Sequence, residues 1–145
     1  MVEQNEGTDM TQVTLVGSDL ALLEGLAQSL SALGHQTTVA RSLGEARELA
    51  VVSPPLVLVV DRMLASDAGA ELLSVPLTNG GARLLYRTAS STMAPLIPAL
   101  QRAVLADLTL PLERHRLAAL VQSIGERARM TGRATRHTPT EGRVI

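Results

Sequence analysis

A single carboxylate, Asp61, closes the most apolar stretch of the chain, Leu56-Val57-Leu58-Val59-Val60. An acidic group at the mouth of a buried strand can ligate a cation, accept a phosphoryl group or cap the next helix. Polar residues recur at similar places: Gly17-Ser18-Asp19 follows the apolar Val13–Val16, and Thr88-Ala89 follows Ala82–Tyr86. Leu110-Pro111 closes a further apolar stretch that begins at Ala106. Other chemistries fail on residue type. The chain has no Cys and no Lys, which removes disulfides, thiol nucleophiles, Schiff bases and a P-loop lysine. His35, His115 and His137 have no mutual metal-ligand spacing and read as surface or loop residues. Ser18 has no His or Lys base beside it in sequence, which argues against a serine hydrolase. With no acid–base or nucleophile–base pair to name, an enzyme is the least supported class.

The elements that position these residues follow from patterning. A length of 145 residues predicts one domain with one sizeable core, and 46% hydrophobic against 19% charged residues is an ordinary globular balance. All 13 basic residues are Arg and 14 are acidic, so a net charge of -1 provides no general field for nucleic acid. Tyr86 is the only aromatic residue, which excludes a base-stacking platform. The apolar runs are too short for a bilayer and the polar Met1–Met10 is no signal peptide, so a soluble cytoplasmic protein is expected, with residues 1–10 disordered.

Short strands are predicted at Val13–Val16, Thr37–Ala40, Leu56–Val60, Ala82–Tyr86 and Ala106–Leu110. The unbroken Leu56–Val60 run suits a parallel strand covered on both faces. Ser18 or Asp19 can cap a helix carrying Leu22, Leu23, Leu26, Leu30 and Leu33, with Gly34 at its left-handed end. Ser42-Leu43-Gly44-Glu45 has capping-box spacing. A weak helix is expected near Ala70–Leu73 and another over Met93–Ala103, where Pro98 is hard to accommodate. The last helix, from Glu113 to about Arg129, has an apolar stripe through Leu117, Leu120, Val121, Ile124 and Ala128. Strands alternating with helices predict an α/β fold, a parallel sheet wrapped on both sides with its site beyond the carboxyl ends of the strands. Strand alternation turns Arg62 away from that site if Asp61 points into it.

The four strand-end stretches together resemble the receiver domain of two-component response regulators. PLVLVVDRMLASDAGAELL (Pro55–Leu73) is similar to the phosphoacceptor strand and loop, with Asp61 at the acceptor position and Gly69 at the usual glycine. VTLVGSDLALLEGL (Val13–Leu26) resembles the first strand and helix, Thr88-Ala89 the signalling threonine and its small neighbour, and ADLTLPLERHRLAALV (Ala106–Val121) the last strand and helix. The similarity spans residues 11–129 and implies a flavodoxin-like (CheY-like) five-stranded sheet in the order 2-1-3-4-5. In that family an acidic pair and the acceptor aspartate hold Mg²⁺, a lysine pairs with the phosphoryl oxygens, and a threonine and an aromatic residue carry the switch.

The resemblance also shows where this chain departs. Gly17 and Ser18 stand at the acidic positions and Asp19 falls one residue late, leaving Asp61 and Asp19 as the weak Mg²⁺ candidates. Leu110 replaces the lysine and Asp107 the aromatic switch, for which Tyr86 is the sole candidate elsewhere. The Leu110-Pro111 step matches one whose peptide bond is commonly cis in the family. Losing one pre-placed electrostatic partner typically costs about 3–4 kcal/mol in a catalytic step. A pseudo-receiver without a cofactor is therefore expected, signalling by dimerisation or by docking an effector or kinase through Arg102, Asp107, Arg114 and Arg116. Two alternatives stand beside it. One is a conventional receiver phosphorylated on Asp61 with Mg²⁺, controlling transcription through a C-terminal DNA-binding domain. The other is a receiver whose less charged pocket takes a small molecule. Residues 130–145, with Arg133 and Arg136, read either as a disordered basic linker or as the opening of a helix-turn-helix effector; the receiver itself is not expected to bind DNA or membrane.

Overall fold

The computed structural model describes residues 11–67, 69–89, 96 and 98–144. Strands β1 (Gln12–Val16), β2 (Gln36–Ala40), β3 (Val57–Asp61), β4 (Ala82–Arg87) and β5 (Val104–Thr109) form one parallel sheet, ordered β2-β1-β3-β4-β5. Around it lie α1 (Leu20–Ala32), α2 (Leu43–Val52), α3 (Arg62–Asp67), α4 (Gly69–Ser74), α5 (Pro98–Ala103) and α6 (Arg114–Val144). The expected doubly wound architecture and strand order are both present. Among the described residues, no helix is long and apolar enough to cross a membrane.

Alternation along the strands divides the core in two. Val57, Val59, Leu84, Tyr86 and Leu108 face one side, beneath Leu23, Leu26 and Leu30 of α1 and Leu117, Val121 and Ile124 of α6. Leu58, Val60 and Leu85 face the other, beneath Leu43, Ala46 and Ala50 of α2, Leu72 of α4 and Leu100 of α5. β3 is central and covered on both faces, which is why its sequence is apolar without alternation. β2 lies at the sheet edge and keeps an alternating pattern of exposure.

Local chemistry fixes the element ends. Asp19, not Ser18, caps α1, its carboxylate accepting from the Leu22 N–H at 3.2 Å. Ser42 Oγ accepts from the Glu45 N–H at 3.1 Å, while the Glu45 carboxylate accepts from the Arg41 N–H at 2.8 Å. Such caps are worth about 1 kcal/mol each. Arg83 of β4 ties down the far end of α4. Its guanidinium donates to the carbonyl oxygens of Leu72, Leu73 and Val75 at 3.2, 3.2 and 2.9 Å, acceptors that a helix end leaves open.

Several sequence expectations need correction. The helix expected near Ala70–Leu73 is present as α4, but a further short helix, α3, precedes it where none was expected. The helix expected from Met93 begins, among the described residues, at Pro98, where a missing N–H costs no helical bond; Met93 and Pro95 lie outside those residues. α6 does not stop near Arg129 but continues to Val144 through the stretch read as a linker. Arg127, Ala128, Arg129 and Met130 are good helix formers, and nothing among them ends the hydrogen-bond ladder.

His35 is not a surface residue: it is only 5% exposed. The left-handed Gly34 (φ 96°) ends α1 and turns the chain sharply, and the His35 N–H donates to the Leu30 carbonyl at 3.1 Å. The imidazole is thereby carried inside just ahead of β2, and neither ring nitrogen has a hydrogen-bond partner among the described residues. Burial and the nearby Arg129 charge lower its pKa from 6.5. His115 is exposed as expected. Residues 1–10 and the side chain of His137 lie outside the described residues.

Candidate functional site

The sheet order gathers the expected positions along one edge. β1 and β4 flank β3, with Val16 beside Val60 and Tyr86 beside Asp61. Asp61 therefore stands between Gly17, just past β1, and Tyr86 of β4. Thr88-Ala89 and Leu110-Pro111 leave the sheet immediately beyond the paired Arg87 and Thr109. The Leu110 N–H donates to the Arg87 carbonyl at 2.8 Å, and the Leu110-Pro111 bond is cis.

Asp61 ends β3 half-buried, and its Oδ1 accepts from the Met63 N–H at 3.0 Å. One carboxylate oxygen thus caps the start of α3, the structural role available to any acid at this point. Ser18 and Asp19 are exposed, and the Asp19 carboxylate is engaged in capping α1. Thr88 is half-buried and Ala89 exposed, whereas Pro111 is exposed beside a fully buried Leu110. Leu110 belongs to the core cluster beneath α1 and α6, so an apolar side chain fills the place where the resemblance puts a lysine.

The cleft around Asp61 contains a residue whose role the sequence did not disclose. Tyr86 is 0% exposed, and its Oη has no hydrogen-bond partner among the described residues. A Cβ at position 17 would collide with Tyr86 Oη and lie 3.3 Å from its Cζ and 3.5 Å from Asp61 Cβ. The phenol therefore fills the space directly against Gly17. Burial first, then the charges of Asp61 and Asp19, raises the Tyr86 pKa far above its ordinary value and keeps the hydroxyl protonated. Only the identity of Tyr86 as the sole aromatic residue marked it in the sequence.

Cations near the cleft are committed elsewhere. Arg62 pairs with Asp107 of β5, and Arg87 Nε donates to Thr109 Oγ1 at 3.2 Å. Glu113 accepts from the Thr109 N–H at 2.7 Å and lies 3.3 Å from Arg116 Nη1. The backbone bond, with smaller help from Arg116 and Arg87, lowers the Glu113 pKa. Arg102, Arg114 and Arg116 are exposed.

Among the described residues, no three His, Asp or Glu side chains come together. At the cleft a glycine and a serine stand where the resemblance puts an acidic pair, and a neutral phenol takes the volume beside Gly17.

No family model matches the chain. It is 29% identical over 115 residues to the acid tolerance regulatory protein ActR of Rhizobium meliloti, and equally to ActR of Sinorhizobium medicae. These matches take in 78% of this chain and 59% of theirs, so the chain spans little more than half the length of those relatives. Among solved structures it resembles a CheY-like receiver domain from Methanospirillum hungatei, with a TM-score of 0.67, 22% identity and coverage of 81% and 96%. A receiver domain from Clostridium thermocellum gives 0.66 at 14% identity, covering 83% and 98%. NtrX from Brucella abortus gives 0.67 at 14% identity, over 92% of this chain and 30% of that one. In its sheet order, its helical layers and the placing of its strand ends, the chain has the fold of the CheY-like receiver domains of response regulators.

Proposed function

We propose that this chain is a two-component signalling receiver that works through protein contacts rather than through a Mg²⁺-dependent aspartyl phosphate. The observation that carries this reading is the composition of the Asp61 cleft. Gly17 and Tyr86 lie against the one acceptor-type carboxylate, and Ser18 and Leu110 stand at the neighbouring strand ends; none of the four supplies a carboxylate ligand or an ammonium. Transferring a phosphoryl group would place its charge in the cleft without the partners that normally offset it, at a loss of about 3–4 kcal/mol for each. The role is signalling, not turnover chemistry.

The contact surface in this reading is the face made by α5, β5 and the start of α6. Leu105 and Leu112 are 54% and 80% exposed there, amid Arg102, Asp107, Arg114 and Arg116. Apolar residues set among charges of both signs suit a self-complementary interface. Sedimentation equilibrium tests this: a concentration-dependent homodimer, weakened by salt, is expected. A monomer at all concentrations and ionic strengths would contradict it.

The similarity to the longer ActR proteins favours a second reading, in which Asp61 is phosphorylated and a further domain responds. The two readings separate on whether Asp61 accepts a phosphoryl group.

A further inference from the structure

We propose that Tyr86 is a built-in occupant of the Asp61 cleft, its phenol filling the volume that an acidic side chain at position 17 would need. This inference rests on reading Asp61 as the acceptor position. It adds that the cleft is closed to a divalent cation by volume as well as by the loss of ligands.

The register explains how one side chain does this. Tyr86 pairs with Asp61, and its alternation places it on the same sheet face as Val59, Leu84 and Leu108. β1 lies two strand spacings from β4, about 10 Å away. Tyrosine is long enough to cross most of that distance, passing over β3 at Asp61 and ending against Gly17. The overlap of Oη with a Cβ at position 17 marks the end of that reach.

Gly17 has no left-handed backbone to explain it, since among the described residues the glycines with positive φ are Gly34 and Gly80. Any L-residue can adopt its conformation. What excludes a side chain is the phenol. The absent acid and the present tyrosine are thus two halves of one packing solution, and restoring the acid alone would drive a carboxylate into a buried ring.

A cycle of Gly17→Ala and Tyr86→Phe tests this with two mild substitutions. Phenylalanine removes the colliding hydroxyl and leaves Cζ at 3.3 Å, a tight but tolerable contact. In the wild-type background, Gly17→Ala is expected to lower Tm by roughly 3–10 °C. In a chain already carrying Tyr86→Phe, the same change should cost less than half as much. Equal losses in both backgrounds would overturn the proposal. Titration of the wild-type protein with MgCl₂ should leave Tm unchanged, and a saturable rise would overturn it too. Its fate is separable from that of the functional reading. Coupling in the cycle with Asp61 nevertheless phosphorylated would uphold the plug and reject that reading; no coupling with Asp61 unmodified would do the reverse.

Discussion

Arg62, the residue after Asp61, reaches past β4 to pair its guanidinium with the carboxylate of Asp107 on β5. Arg62 is only 11% exposed and Asp107 35%, so the pair is partly shielded from solvent. Asp107 stands where the family resemblance puts an aromatic switch residue. The ion pair therefore joins the start of α3 to the outer strand β5.

Breaking that pair should be felt in stability. Asp107→Asn is expected to lower stability by about 1–2 kcal/mol, less than a fully buried pair would cost because Asp107 is partly hydrated. A double-mutant cycle with Arg62→Met, read by urea denaturation, should give a coupling of similar size. Additive single mutants would deny the link.

His35 makes stability depend on pH. Its folded pKa lies below the 6.5 of the unfolded chain, because burial and then Arg129 disfavour the imidazolium. Unfolding therefore takes up a proton, so the stabilisation is complete above 6.5 and is lost as pH falls through and below that value. Wild-type stability measured between pH 7.5 and pH 5 should decline more steeply than that of His35→Leu, on the order of one proton's difference in slope. Parallel curves would show that His35 does not contribute.

Arg83→Ala should destabilise by about 1–3 kcal/mol, since the Leu72, Leu73 and Val75 carbonyls lose the guanidinium and Leu72 keeps only a long bond from the Val75 N–H. Arg83→Lys should recover only part of the loss, because an ammonium cannot span three acceptors as the planar fork does. Thermal denaturation of the two variants checks the order.

Leu105→Glu and Leu112→Glu test the contact face. Both side chains are largely exposed, so each change should alter folding stability by less than about 0.5 kcal/mol. Sedimentation should show that the double variant no longer self-associates. A dimer that survives both changes would place the interface elsewhere.

What the sequence could reveal depended on how local each signal was. The position of β3 was readable because an unbroken run of Leu and Val is itself the signature of a strand covered on both sides. Asp61 was readable because it ends that run. The Gly34 turn and the capping of α2 by Ser42 were readable within a few residues of sequence. Tyr86 was visible as the sole aromatic residue, but its relation to Gly17 depends on parallel register between strands far apart in the chain. His35 read as a surface or loop residue because nothing in its neighbouring sequence marks it as buried. Its burial belongs to the tertiary fold, where Arg129 lies close enough to shift its titration although it is distant in sequence. Arg62 was expected, from strand alternation, only to point away from the site. The helix begins at that residue, and its pairing with β5 depends on sheet order rather than on neighbours.

The most direct test of the proposed function is intact mass measurement after incubation with acetyl phosphate and Mg²⁺. The expected result is an unmodified chain, with any transfer at least about a hundredfold slower than in a receiver that keeps its acids and lysine. Rapid addition of one phosphoryl group, abolished by Asp61→Asn, would contradict it.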